Sequence, residues 1–190
     1  LYKGTHDKSF DFFRFYFLCF AIGMTSAAWF GHGLQAYVGP EFKRIGWVCG
    51  ASGLLLFGLG SLWKIKSFIS SNLYQIIRVL FIGQSLFFVF LLLNPVYSDF
   101  IYAQLSSTVS LIAFIFPLQI FNYIKTKSKG GLIIIATILY SIIPGLVYNN
   151  QISIDKWFNY HDISHVLMAI FMTSMIIGTF RISTKDAKEL

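Results

Sequence analysis

Residues 73–93 read LYQIIRVLFIGQSLFFVFLLL. A single charge, Arg78, stands in that stretch, close to its start. The apolar residues do not alternate with polar ones, as a membrane-barrel strand would require. About 20 apolar residues span a bilayer as a helix. In lipid, every backbone polar group must be bonded within the protein, and a helix meets that demand inside one segment. The stretch therefore predicts a membrane-spanning helix.

Five more apolar segments follow the same pattern, at about residues 10–38, 45–63, 100–123, 132–148 and 160–180. Together the six predict an all-α, polytopic transmembrane helix bundle of about six spans, in one domain over 1–190. The composition agrees. Of 190 residues, 56% are hydrophobic and 12% charged, with mean hydropathy +0.67. A soluble domain carries about 25% charged residues, so this chain lacks the polar surface for one. That argues against a soluble enzyme, a nucleic-acid binder and a disordered chain.

The formal charge of +7 has a membrane explanation, because cytoplasmic loops collect Lys and Arg. Lys3, Lys8, Arg14, Lys64, Lys66, Arg78, Lys125, Lys127, Lys129, Arg181, Lys185 and Lys188 share one side of the six-span topology. Only Lys43, Arg44 and Lys156 fall on the other. Twelve against three predicts that both termini are cytoplasmic. The first segment imitates a secretory signal, with Thr25-Ser26-Ala27-Ala28 as a cleavage-like site. Asp7 and Asp11 in its basic flank argue for a retained helix. The chain starts at Leu1, which leaves room for a further helix before it.

Cys19 and Cys49 lie inside apolar runs without Cys-x-x-Cys spacing, so they read as packing residues. Gly23, Ala27 and Gly31, and then Gly46 and Gly50, recur four apart, the spacing that lets helix backbones approach closely in lipid. Pro117 and Pro144 fall within the fourth and fifth segments and predict kinks there.

Ionisable residues near membrane depth are rare and usually functional, which singles out the histidines. His161 and His165 open the last segment four residues apart, so both lie on one helix face. His32 lies near the outer end of the first segment, which runs outward while the last runs inward. All three are therefore expected at one outer depth. Three imidazoles with an open fourth position suit a catalytic zinc ion. Haem competes, but a bis-histidine haem takes its ligands from opposite sides of the porphyrin, not from one helix face. His6 lies near the cytoplasmic end, away from the others. Asp162 is a candidate proton acceptor or orienting carboxylate. It also has the capping-box spacing from Asn159. Glu41, just beyond the first segment, is the second candidate acid, or a loop charge beside Lys43 and Arg44.

With Gly31-His32-Gly33 closing one helix and His161-x-x-x-His165 opening the last, the chain resembles the CREST superfamily. Alkaline ceramidases and the progestin and adiponectin receptors belong to that group. The likeness is closer to a bacterial branch, whose last helix reads much like residues 158–166. The resemblance implies a seven-helix fold seen here without its first helix. It also implies zinc on His32, His161 and His165, and hydrolysis of a lipid amide or ester. The superfamily has a serine four residues before its first histidine, where this chain has Ala28. It also has an aspartate on the following helix, where residues 45–63 hold no acid. Two readings follow: a zinc-dependent membrane hydrolase acting on a lipid substrate, or a non-enzymatic subunit or receptor with a membrane-protein partner and structural histidines.

Overall fold

The computed structural model describes residues 7–30, 34, 37, 39–97 and 99–186, with side chains to Ile182. Among the described residues, six helices are long and apolar enough to cross a membrane. They are α1 (Ser9–Ala28), α2 (Lys43–Lys64), α3 (Ser71–Leu93), α4 (Phe100–Thr126), α5 (Lys129–Asn149) and α6 (Tyr160–Asp186). No strand occurs among the described residues. The chain divides into two compact units, Leu1–Leu118 and Gln119–Leu190.

Local chemistry sets the helix ends. The Ser70 hydroxyl accepts from the Leu73 N–H and caps α3. Asn94 ends α3 in an extended conformation, as the residue before Pro95 must. The Asp99 carboxylate accepts from the Ile101 N–H and caps α4. Between α4 and α5, Lys127 adopts φ 52° and donates its N–H to the Tyr123 carbonyl, which stops α4.

In the first segment regular α-helix runs from Ser9 to Ala28, and a wider π-type turn follows at Trp29 and Phe30. Of the stretch expected beyond it, residues 31–33, 35, 36 and 38 lie outside the described residues. The two prolines act where the sequence placed them. Pro117 cannot donate to the carbonyl four residues back, and its ring crowds it. The helix ahead of it widens into a π segment, Val109–Ile115. Pro144 does the same to Tyr140, and α5 breaks at Ser141. The Ser141 hydroxyl donates to the Ile138 carbonyl at 2.6 Å across that break.

In the first unit, α1 and α2 run antiparallel. Asp7 meets Lys64, Phe13 faces Gly60, Tyr16 faces Gly53, and Gly23 faces Gly46. A methyl group on Gly46 would sit 3.0 Å from the Gly23 carbonyl oxygen, so this pair sets the approach of the backbones. Gly50 has open space around it and plays no such part. Phe57 forms a buried aromatic knot with Phe13 and Tyr16, its ring centroid 4.9 Å from each of theirs. Phe81 of α3 is fully buried over Gly58 and stacks on Phe114 at 4.6 Å.

In the second unit, α5 and α6 also run antiparallel, with Gly130 against Gly178 and Ile182 at one end. Ile134, Ile138 and Met175 are fully buried. Tyr148 approaches Tyr160 and His161 at the other end, where the candidate site begins.

Candidate functional site

The segment between α5 and α6 is a tight hairpin. The Asp155 carboxylate accepts from the N–H groups of Trp157 and Phe158, at 2.6 and 2.8 Å. Ile154 donates to the Phe158 carbonyl, closing the turn. Ser153 accepts from the Tyr160 N–H at 3.0 Å and ties the hairpin to the first residue of α6. The aspartate satisfies two backbone donors that a turn leaves without helical partners.

The start of α6 is a reciprocal capping box. The Asn159 side-chain oxygen accepts from the His161 N–H at 2.8 Å. The Asp162 carboxylate accepts from the Asn159 N–H at 3.1 Å. Two donors orphaned at the helix start are thereby satisfied. Asp162 also places negative charge where the helix dipole favours it.

His161 lies in an aromatic corner. Its ring is 4.1 Å from Tyr160, centroid to centroid, and 5.5 Å from Tyr148, whose edge it meets at 73°. Tyr148 and Tyr160 lie 5.6 Å apart, nearly perpendicular. The corner half-buries His161 and fixes its ring plane. His165 follows one turn later and is exposed. The Ser164 hydroxyl between them bonds back to the Tyr160 carbonyl at 2.7 Å. Histidines spaced in this way offer two neutral nitrogen donors from one helix turn, a fit for zinc.

His32 and His6 lie outside the described residues. Glu41 sits in a short 3-10 turn, Pro40–Phe42, exposed, with its carboxylate folded back beside Gly39. Among the described residues, no three His, Cys, Asp or Glu side chains gather closely enough to hold a metal. Tyr148 is not tied to the histidines by sequence spacing alone. It reaches His161 only because the hairpin brings the end of α5 back to the start of α6. The signal available was a tyrosine on each side of a short polar loop.

A protein family of unknown function (DUF6962) matches residues 1–184, and the chain belongs to that family. No curated protein and no solved structure matches it.

Proposed function

We propose that this family member is an integral-membrane, zinc-dependent hydrolase that acts on a lipid or lipid-like amide or ester. His161 and His165 would hold the metal, with His32 as the third ligand expected from the sequence. One observation carries the reading. Two histidines share one face at the first turns of a span-length apolar helix, where ionisable side chains are rare and tend to be functional.

Membrane insertion has its own support. The most apolar window of α3 is only 17% buried within the protein. An exposed apolar face of that size calls for lipid around it. The twelve-to-three division of basic residues supports cytoplasmic termini and, with them, the His161 end of α6 at the outer face.

Bound zinc supplies a Lewis acid and lowers the pKa of its water to about 7. The chain's own residues have separate roles. The Tyr148–Tyr160 corner orients His161, and the capping box fixes the helix turn that carries it. Asp162 and Glu41 remain the candidate proton acceptors.

One observation favours the non-enzymatic subunit or receptor. Asp162 already spends a carboxylate oxygen on the Asn159 N–H, which gives it a full structural role in the cap.

The test combines metal analysis of purified full-length chain with an activity screen. The hydrolase reading expects about one zinc per chain. That zinc should be lost in His161→Ala, His165→Ala and His32→Ala and kept in His6→Ala. Turnover of a lipid amide or ester should stop with chelator. Zinc bound in full with no turnover across the panel would favour the subunit reading. A wild-type chain without metal would end the proposal of a metal site.

A further inference from the structure

The start of α1, the end of α2 and the start of α3 meet at one end of the first unit, and that end is rich in cations. Lys8, Arg14, Lys64, Lys66 and Arg78 belong to it, against Asp7 and Asp11. Lys64 is neutralised, since its ammonium bonds the Asp7 carboxylate. Lys8 and Lys66 are exposed and meet aromatic faces instead. The Lys66 ammonium lies 4.5 Å from the Trp63 ring centre and 5.6 Å from that of Tyr74. The Lys8 ammonium lies 5.5 Å from the same Trp63 ring. The two charges are therefore at most 10 Å apart (4.5 plus 5.5).

Two like charges held on one indole repel each other, and each ring face attracts its cation only weakly. The rings also leave the ammonium N–H donors for oxygen acceptors. An anion with several oxygens would relieve the repulsion and use those donors. The surroundings say which kind of anion. Leu73, Ile76 and Leu80 form an exposed apolar stripe along α3, three and four residues apart, that starts beside the Lys66 turn. Phe68 is exposed within that same turn. A phosphate-bearing anion at the lysines would thus have an exposed apolar face on the same helix, around from Tyr74, within reach of its acyl chains.

We propose that Lys8 and Lys66, fixed against Trp63 and Tyr74, bind the phosphate of an anionic phospholipid whose acyl chains lie along Leu73, Ile76 and Leu80. This rests on the membrane reading above and is independent of the histidines. A free phosphate offers the same oxygens but leaves the apolar stripe uncovered.

The experiment titrates delipidated, full-length chain in detergent with phosphatidylglycerol, phosphatidylcholine or inorganic phosphate, with bound lipid read by native mass spectrometry. Phosphatidylglycerol should bind more tightly than phosphatidylcholine. K8Q and K66Q should each weaken phosphatidylglycerol binding about fivefold, the effect of one lysine at an anionic surface, and weaken phosphatidylcholine, whose phosphate is already offset by choline, by less. K66R should keep the preference, which separates charge loss from misfolding, and K156Q should match wild type. Equal binding of the two lipids, or a preference that survives both glutamine variants, would overturn the proposal. So would displacement of phosphatidylglycerol by an equal concentration of inorganic phosphate. Alkaline carbonate extraction separates the two layers of the argument. A chain that stays with the membrane yet shows no lipid preference overturns the headgroup site alone. A chain released by carbonate overturns the membrane reading beneath it.

Discussion

Lys64 donates a hydrogen bond to Asp7, 57 residues away, and ties the end of α2 to the start of α1 at 2.5 Å. Burial pushes the Asp7 carboxyl up, but the Lys64 ammonium and the Ser9 N–H outweigh it and hold the carboxyl below its usual range. A depressed folded-state value contributes stability above the unfolded pKa, near 3.9, and loses it as pH falls through the folded value. The thermal midpoint in detergent should therefore be insensitive to this pair from pH 7 to about 5, then fall below about pH 4. Asp7→Asn should cost about 1 kcal/mol at pH 7, a charged hydrogen bond discounted for partial exposure. It should also flatten the acid limb. An Asp7→Asn chain with the wild-type acid limb would remove the pair from the account.

Gly58 and Gly50 lie on the same helix and make opposite predictions. A methyl group at Gly58 would fall inside the Phe81 ring, which is fully buried and stacked on Phe114. Gly58→Ala should destabilise the chain by about 1–3 kcal/mol, the usual cost of overpacking a filled core. At Gly50 nothing lies within 4 Å of such a methyl. Gly50→Ala should be neutral or stabilise by up to about 1 kcal/mol through helix propensity. Paired thermal unfolding measurements in one detergent decide it, and equal effects at both sites would contradict the close α2–α3 approach.

The helices were legible because long, unbroken apolar segments leave few alternatives. A long apolar segment must bond its own backbone, so the expected 45–63 and 73–93 became Lys43–Lys64 and Ser71–Leu93. The far end of the first segment lies outside the described residues, and hydropathy alone does not record that the helical hydrogen-bond ladder widens after Ala28. Pro117 and Pro144 announced interruptions, since a missing N–H is a sequence fact. Whether the turn widens, as at Val109–Ile115, or breaks, as at Ser141, depends on which bonds replace it. Gly130 and Gly178 are not marked by spacing, because neither has a glycine four residues away in its own helix. The Asn159–Asp162 spacing was readable as a cap, because both halves of a capping box lie within four residues. Tyr148 was not, because its place beside His161 depends on the fold of the hairpin between them.

Asp162 tests whether the cap is that residue's role or only part of it. Asp162→Ala should lose about 1 kcal/mol by removing one acceptor of the capping box. Asp162→Glu keeps a carboxylate at the position where capping boxes favour Glu and should restore most of that stability. If the cap is the whole role, zinc content and any turnover should follow stability and return in Asp162→Glu. If Asp162 also takes a proton near the metal, the added methylene misplaces it, and turnover stays low in a chain of wild-type stability. A kcat that falls in Asp162→Glu while KM and thermal midpoint hold would therefore assign it to the chemistry.

The ends of α5 carry the orientation test. The helix has 21 residues, Lys129–Asn149, and at 1.5 Å per residue it rises about 31 Å, enough to cross the hydrocarbon core. Lys125 lies just before one end and Asn150 just after the other, and both are exposed. Cys19 and Cys49, both partly accessible free thiols, are first replaced by alanine to remove background labelling. In intact cells an impermeant maleimide should then label Asn150→Cys and spare Lys125→Cys. Both should react once the membrane is permeabilised. The Lys125 turn also holds Lys127 and Lys129, which is why the positive-inside rule predicts its retention in the cytoplasm. The Asn150 end leads to the Asp155 turn and His161, so labelling there places the candidate metal ligands at the outer face. The reverse pattern would invert the topology and put the histidine pair in the cytoplasm. Labelling at both sites in sealed cells would mean that α5 does not cross the bilayer at all.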